Sequence, residues 1–128
     1  MKIIGIGIDI VKNKRIGSLI KNKKFIIRTF GKNEILNLKK KNITSYLSKR
    51  FAAKEALAKA IGTGFRNGLN FRDIQILNNK LGKPYYIIST KVKNLINKKM
   101  KVKDFNLFLS ISDEKEYSIA FAVIETKQ

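Results

Sequence analysis

Asp9 closes the run Gly5-Ile6-Gly7-Ile8-Asp9, and Lys54, Glu55 and Lys59 lie in the run RFAAKEALAKAIGTG at residues 50–64. These residue types and spacings suit phosphate chemistry. Two carboxylates that meet in space, with lysines beside them, make a hard-oxygen Mg2+ site facing a phosphate ligand. Mg2+ takes one or two protein carboxylates and completes its octahedron with water and substrate phosphates. The sequence leaves open whether Asp9 and Glu55 meet. Glu55 and Lys59, at i and i+4, equally suit a solvated helical ion pair, and Asp9 suits a cap at the end of a strand. Lys54 falls inside the apolar stripe of Phe51, Leu57 and Ile61; the ordinary account is snorkelling, with the stem packed and the ammonium led to water.

Composition narrows the alternatives. The chain has 128 residues, no Cys and no His, so disulfides, thiolate nucleophiles, imidazole bases and His-ligated zinc are excluded. Its apolar fraction of 44% is that of a foldable globule, despite 28 Lys+Arg against 9 Asp+Glu. Part of the net charge of +19 reflects composition bias, since 20 Ile, 23 Lys and 12 Asn all have AT-rich codons. Any macromolecular partner is expected to be acidic. Apolar runs fall far short of the roughly 20 residues of a membrane span, and the N-terminus lacks a signal-peptide cleavage pattern; a cytoplasmic protein without a membrane segment is expected.

The elements that must position these residues are legible in outline. Residues 2–10 read as a strand with Ile4, Ile6, Ile8 and Ile10 on one face and Ile3, Gly5, Gly7 and Asp9 on the other. That second, nearly bare face suits either close packing by another backbone or the approach of a ligand. Residues 13–28, 32–41 and 48–61 read as helices, 73–78 and 85–89 as a hairpin around a turn holding Pro84, and Thr90 as the cap of a short helix. Residues 106–112 and 117–124 read as a second hairpin. The order β-α-α-α-β-β-α-β-β predicts an α+β fold, one compact domain over 1–128 with a largely antiparallel sheet and helices packed on it. The glycines at 5 and 7 lack the third glycine and the helix of a dinucleotide fingerprint, and no P-loop is present.

GIGIDIVKNKRI at 5–16, RFAAKEALAKAIGTG at 50–64, FRDIQI at 71–76, LGKPYYI at 81–87 and LSISDEKEYSIAFAVIE at 109–125 together resemble the holo-[acyl-carrier-protein] synthases, small phosphopantetheinyl transferases, over nearly the whole chain. The resemblance implies Mg2+-dependent transfer of 4'-phosphopantetheine from coenzyme A to a serine of apo acyl carrier protein, in support of fatty acid synthesis. It assigns Asp9 and Glu55 as metal ligands, with Glu55 and Lys59 catalytic and Lys59 on the pyrophosphate. It places Arg50, Lys54, Lys59, Gly62, Thr63, Gly64, Lys83, Pro84, Ser112 and Asp113 around coenzyme A, and Arg15 on the acidic carrier. It also implies a homotrimer with coenzyme A at subunit interfaces. Lys12 stands where the family usually has an acidic residue, and Asp113 where many members have His. Without His, the serine proton goes to a carboxylate such as Glu55 or to a metal-bound water or hydroxide.

If residues 13–28 stay helical, Lys14, Lys21, Lys24 and Arg28 fall within an arc of about 80°, a basic stripe suited to the carrier or simply a solvated lysine face. A small basic RNA-binding protein is the rival reading, but scattered lysines, no Trp and no aromatic RNA-binding motif oppose specific nucleic-acid recognition. A noncatalytic carrier-binding module is opposed by the presence of Asp9, Glu55 and Lys59.

Overall fold

A computed structural model describes residues 1–65 and 68–127. Chain order is β1 (Lys2–Lys12), α1 (Asn13–Leu19), α2 (Lys23–Thr29), α3 (Lys32–Leu36), α4 (Ile43–Ile61), a 3-10 turn (Phe71–Asp73), β2 (Ile74–Asn78), β3 (Pro84–Ile88), α5 (Thr90–Met100), β4 (Phe105–Asp113) and β5 (Tyr117–Thr126). Strands β1, β5 and β4 form an antiparallel sheet in that spatial order, and β2 pairs antiparallel with β3. The α+β class and antiparallel pairing agree with the sequence reading.

The central helix α4 lies on one face of the three-stranded sheet, and small side chains set how closely. Ala52, Ala53, Ala56 and Ala58 are fully buried. A Cβ on Gly7 would collide with the Ala56 carbonyl and the Ala60 amide, and one on Gly5 with the Ala60 carbonyl. The bare face of β1 is therefore taken by the α4 backbone, and Ile6, Ile8 and Ile10 point outward at 57–58% exposure. A register shift between Ile3 and Gly5 leaves Ile4 packed against the core while Ile3 is exposed.

Three helical boundaries differ from the sequence reading. The stretch 13–28 is broken between α1 and α2, where Asn22 turns out of helical geometry and its side chain caps Lys24 N at 2.9 Å. The stretch 32–41 is helical only to Leu36. Helix α4 begins five residues before Ser48, immediately after Asn42 in the left-handed region. Ser89 rather than Thr90 caps α5, accepting from Val92 N at 3.3 Å, and Pro84 opens β3 instead of sitting in the turn.

Candidate active site

The approach of β1 to α4 brings Asp9 to the helix edge that carries Glu55 and Lys59. Lys59 Nζ donates to Asp9 Oδ1 at 3.1 Å and to the Ile8 carbonyl at 3.0 Å. The i,i+4 partner of Lys59, Glu55, is passed over: the ammonium reaches the strand. Asp9 is largely covered, its side chain 15% exposed against 53% for Lys59. The half-buried Glu55 carboxyl is pushed above the usual carboxylate range, first by loss of solvent and then by the negative charge of Asp9, while Lys59 and Arg15 pull it down. Asp9 and Glu55 thus feel each other, as do Glu55 and Arg15. Arg15, in the first turns of α1, sets its guanidinium 6.0 Å from the Phe51 ring centroid, one turn before Glu55.

The donor set fits a hard divalent cation. Two carboxylates of like charge, one of them half buried, match a Mg2+ site that keeps coordination positions for water and phosphate oxygens. Among the described residues no group of three or more acidic side chains, His or Cys gathers anywhere. Beyond Lys59 the helix ends on Gly62, at φ 91°, and the chain runs through Thr63 to Gly64, at φ 60°. Among the described residues nothing lies within 4 Å of a Cβ position at either glycine, while both amides donate to the Ala58 carbonyl, at 3.0 and 3.4 Å.

A second cluster forms on the opposite side of α4. Arg50 lies over the Tyr46 ring at 3.6 Å and donates to Asn78 Oδ1 at 2.5 Å. Its buried Nε has no partner among the described residues. Burial pulls the guanidinium below its ordinary value, opposed by Tyr46 and Glu34. With Lys49, Pro84 and Asp113, Arg50 lines a cavity of about 250 Å³, and Tyr46 is shared with neighbouring cavities of about 340 and 470 Å³. Lys83 is exposed beside Pro84, and Ser112 beside Asp113 is also exposed.

These two clusters do not meet within one chain. At 100° per residue, Glu55 and Lys59 lie about 140° and about 180° around α4 from Arg50. The sheet register agrees. Asp9 pairs with Ala120, which pairs with Ile111, so Asp9 and the Ile111–Asp113 end of β4 occupy opposite edges of the face that α4 covers. Two strand spacings, about 10 Å, separate them.

Lys54, expected in the coenzyme A cradle, is a correction. It is fully buried and neither snorkels nor faces solvent. Its ammonium donates to Glu34 Oε1 at 2.6 Å, to Phe71 O at 3.0 Å and to Ile74 O. Burial draws it down to about 8 although Glu34 opposes the shift. Glu34, not singled out by sequence, is equally buried and also accepts from Gly31 N at 2.9 Å and Ile76 N at 3.1 Å. The spacing Gly31-x-x-Glu34 is a capping-box spacing, a signal present in the sequence. The basic stripe is the second correction. Lys14 lies on α1, Lys21 in the intervening turn and Lys24 and Arg28 on α2, so the break at Asn22 dissolves the single arc while leaving all four side chains exposed.

Comparison with known proteins identifies the family. Residues 5–122 match the family model described as the 4'-phosphopantetheinyl transferase superfamily. The holo-[acyl-carrier-protein] synthase of Pelagibacter ubique (strain HTCC1062) is 56% identical over 128 residues, covering 99% of this chain and 100% of that protein. The crystal structure of holo-[acyl-carrier-protein] synthase from Neisseria meningitidis superposes with a TM-score of 0.86 at 39% identity, covering 97% of this chain and 99% of the other. The Bacillus anthracis enzyme, crystallised in complex with CoA (3',5'-ADP), gives 0.80 at 36% identity, covering 99% of this chain and 100% of that one. With the family model, the full-length relatives and the superposed fold in agreement, the chain belongs to the 4'-phosphopantetheinyl transferase superfamily, within its holo-[acyl-carrier-protein] synthases.

Proposed function

We propose that this chain transfers 4'-phosphopantetheine from coenzyme A to a serine hydroxyl of an acidic apo acyl carrier protein, in support of fatty acid synthesis. The serine hydroxyl gives up its proton, for which Glu55 is a carboxylate at hand, and its oxygen forms a new bond to the phosphorus bearing the pantetheine arm. The phosphoanhydride bond breaks, and adenosine 3',5'-bisphosphate leaves with the bond's electron pair. The observation that carries this reading is the junction of Asp9, Glu55 and Lys59 at the edge of α4, two carboxylates and an ammonium. Asp9 and Glu55 would hold Mg2+, which supplies neutralisation of the pyrophosphate charge when bound. Lys59, on a flexible stem that is half exposed, reaches the pyrophosphate and stabilises the leaving oxygen. The Gly62-Thr63-Gly64 segment leaves room beside the lysine for the phosphates, although the Gly62 and Gly64 amides donate to the Ala58 carbonyl. Arg15 presents its charge to the carrier beside the entry, and exposed Lys14, Lys21, Lys24 and Arg28 offer a diffuse basic field in place of a stripe.

The nucleotide end of coenzyme A belongs to the second cluster, in which the buried Nε of Arg50 has no partner among the described residues, Pro84 and Asp113 line the same hollow, and exposed Lys83 and Ser112 adjoin them in sequence. Because Arg50 and Glu55 lie on opposite sides of α4, a ligand that touches both without wrapping around the helix lies between two copies of the chain. An apolar surface suited to such assembly is present: Ile6, Ile8 and Ile10 of β1 stand beside Phe121 of β5 and Phe108 of β4 on the outer sheet face, each 40–58% exposed. A homotrimer with coenzyme A between subunits satisfies both observations. No described helix is long and apolar enough to cross a membrane, which accords with the cytoplasmic location we assign.

The test is the intact mass of purified apo acyl carrier protein incubated with the protein, coenzyme A and Mg2+. A gain of one phosphopantetheine, lost with EDTA, is expected. No gain with verified folding of both proteins overturns the reading.

A further inference from the structure

The Asp9 oxygen that accepts from Lys59 at 3.1 Å belongs to the carboxylate through which this chain would hold a divalent cation. A second bond, to the Ile8 carbonyl at 3.0 Å, fixes the ammonium over the strand at that place. Glu55, one turn earlier, is half buried and faces the Asp9 charge. A carboxylate pair of this kind attracts one positive charge strongly and two poorly, so the ammonium and a divalent ion compete for it. The competition is uneven, because the lysine stem is half exposed and can swing away when a better anion is offered.

We propose that Lys59 is a placeholder for the metal: its ammonium neutralises Asp9 until the substrate's pyrophosphate draws it off, so that the divalent ion and the phosphate-bearing substrate bind cooperatively. This rests on the function proposed above and adds an order to it. Metal alone meets an ammonium at Asp9. Metal arriving with pyrophosphate meets a carboxylate whose counter-charge has been given another partner. By thermodynamic linkage the coupling is reciprocal, so metal tightens substrate by the factor with which substrate tightens metal.

The experiment uses Mn2+ as the probe, with free ion counted by its paramagnetic resonance signal, on the full-length protein with and without coenzyme A. Without coenzyme A, Lys59→Met is expected to bind Mn2+ roughly 5-fold tighter than the parent, the scale of an exposed ion pair. Coenzyme A is expected to tighten Mn2+ in the parent by at least that factor, and in Lys59→Met the coupling should shrink by about the same 5-fold, to what direct metal–phosphate contact supplies. Arg15→Met, which removes a charge beside Glu55 without touching Asp9, should keep the coupling; its loss there would reduce the effect to a general field and overturn the placeholder. Acylation of Lys59 by a dilute anhydride, followed by peptide mass, should accelerate when saturating Mn2+ is added alone. Equal Mn2+ affinity in parent and Lys59→Met, with undiminished coupling, overturns the proposal while leaving the transferase reading intact. Unchanged Mn2+ binding in Asp9→Asn and Glu55→Gln would instead remove the metal site, and the placeholder with it.

Discussion

Lys54 and Lys59 stand five residues apart on one helix and meet opposite fates. Lys54 is sealed in the interior, where Glu34 and two backbone carbonyls satisfy its ammonium. Lys59 lies at the surface with one carboxylate and one carbonyl, on a side chain 53% exposed. The difference is one of acceptor supply. Around Lys54 the 3-10 turn, β2 and α3 all point oxygens inward, and the charge is spent on holding those elements together. Around Lys59 the supply is thin, and the charge stays available for a ligand. In the same helix, a lysine with full coordination is architecture and one with partial coordination is chemistry.

The largest expected effects break the surface half of the comparison. Asp9→Ala and Glu55→Ala should each lower phosphopantetheine transfer by about 1,000-fold with little change in urea midpoint, because each removes charge stabilisation at the reacting phosphates without opening the core. Lys54→Met should do the reverse: it leaves Glu34 buried and uncompensated, costing about 3–5 kcal/mol in urea unfolding. Adding Glu34→Gln to Lys54→Met should recover part of that loss by removing the orphan charge, and no recovery would mean that the pair is incidental. Gly7→Ala should cost about 1–3 kcal/mol, because a methyl at Gly7 drives into the Ala56 carbonyl. Its activity should fall as well, since Asp9 follows β1 away from Glu55. The smallest effect is expected from Lys21→Glu, Lys24→Glu, Arg28→Glu. That triple variant should raise the apparent KM for the carrier several-fold at low salt and converge with the parent as salt is added.

The two lysines also mark where the sequence was informative. Asp9, Glu55 and Lys59 were legible as candidates through the family resemblance and the i,i+4 spacing of the two α4 residues, whereas the approach of Asp9 to them stayed open until Gly5 and Gly7 were seen to admit the α4 backbone. The role of Lys54 was not: its partner Glu34 lies 20 residues away, and only packing of α3 against β2 and α4 brings them together. The sequence distinguished the isoleucine face of β1 from its glycine face without saying which is buried, and apolar side chains ordinarily seek the core. A glycine face that admits a helix backbone competes for the same space, and here it takes it. The break at Asn22 carries neither Pro nor Gly, so helical periodicity ran through it, and with it the basic stripe. The hairpins were placed within about two residues because alternation and turn residues are local signals.

That Arg50 and Glu55 face away from each other follows from their spacing on α4, the sheet register agrees, and it yields the most direct test of the account. Arg50→Ala and Glu55→Ala, each inactive alone, should be co-assembled from a mixed preparation and assayed for carrier modification. If coenzyme A lies between copies, random association restores intact sites to about one quarter of the interfaces, and activity returns in that proportion. A mixture as inactive as either variant, in particles about three times the 14.6 kDa chain mass, would contradict a site built from two subunits.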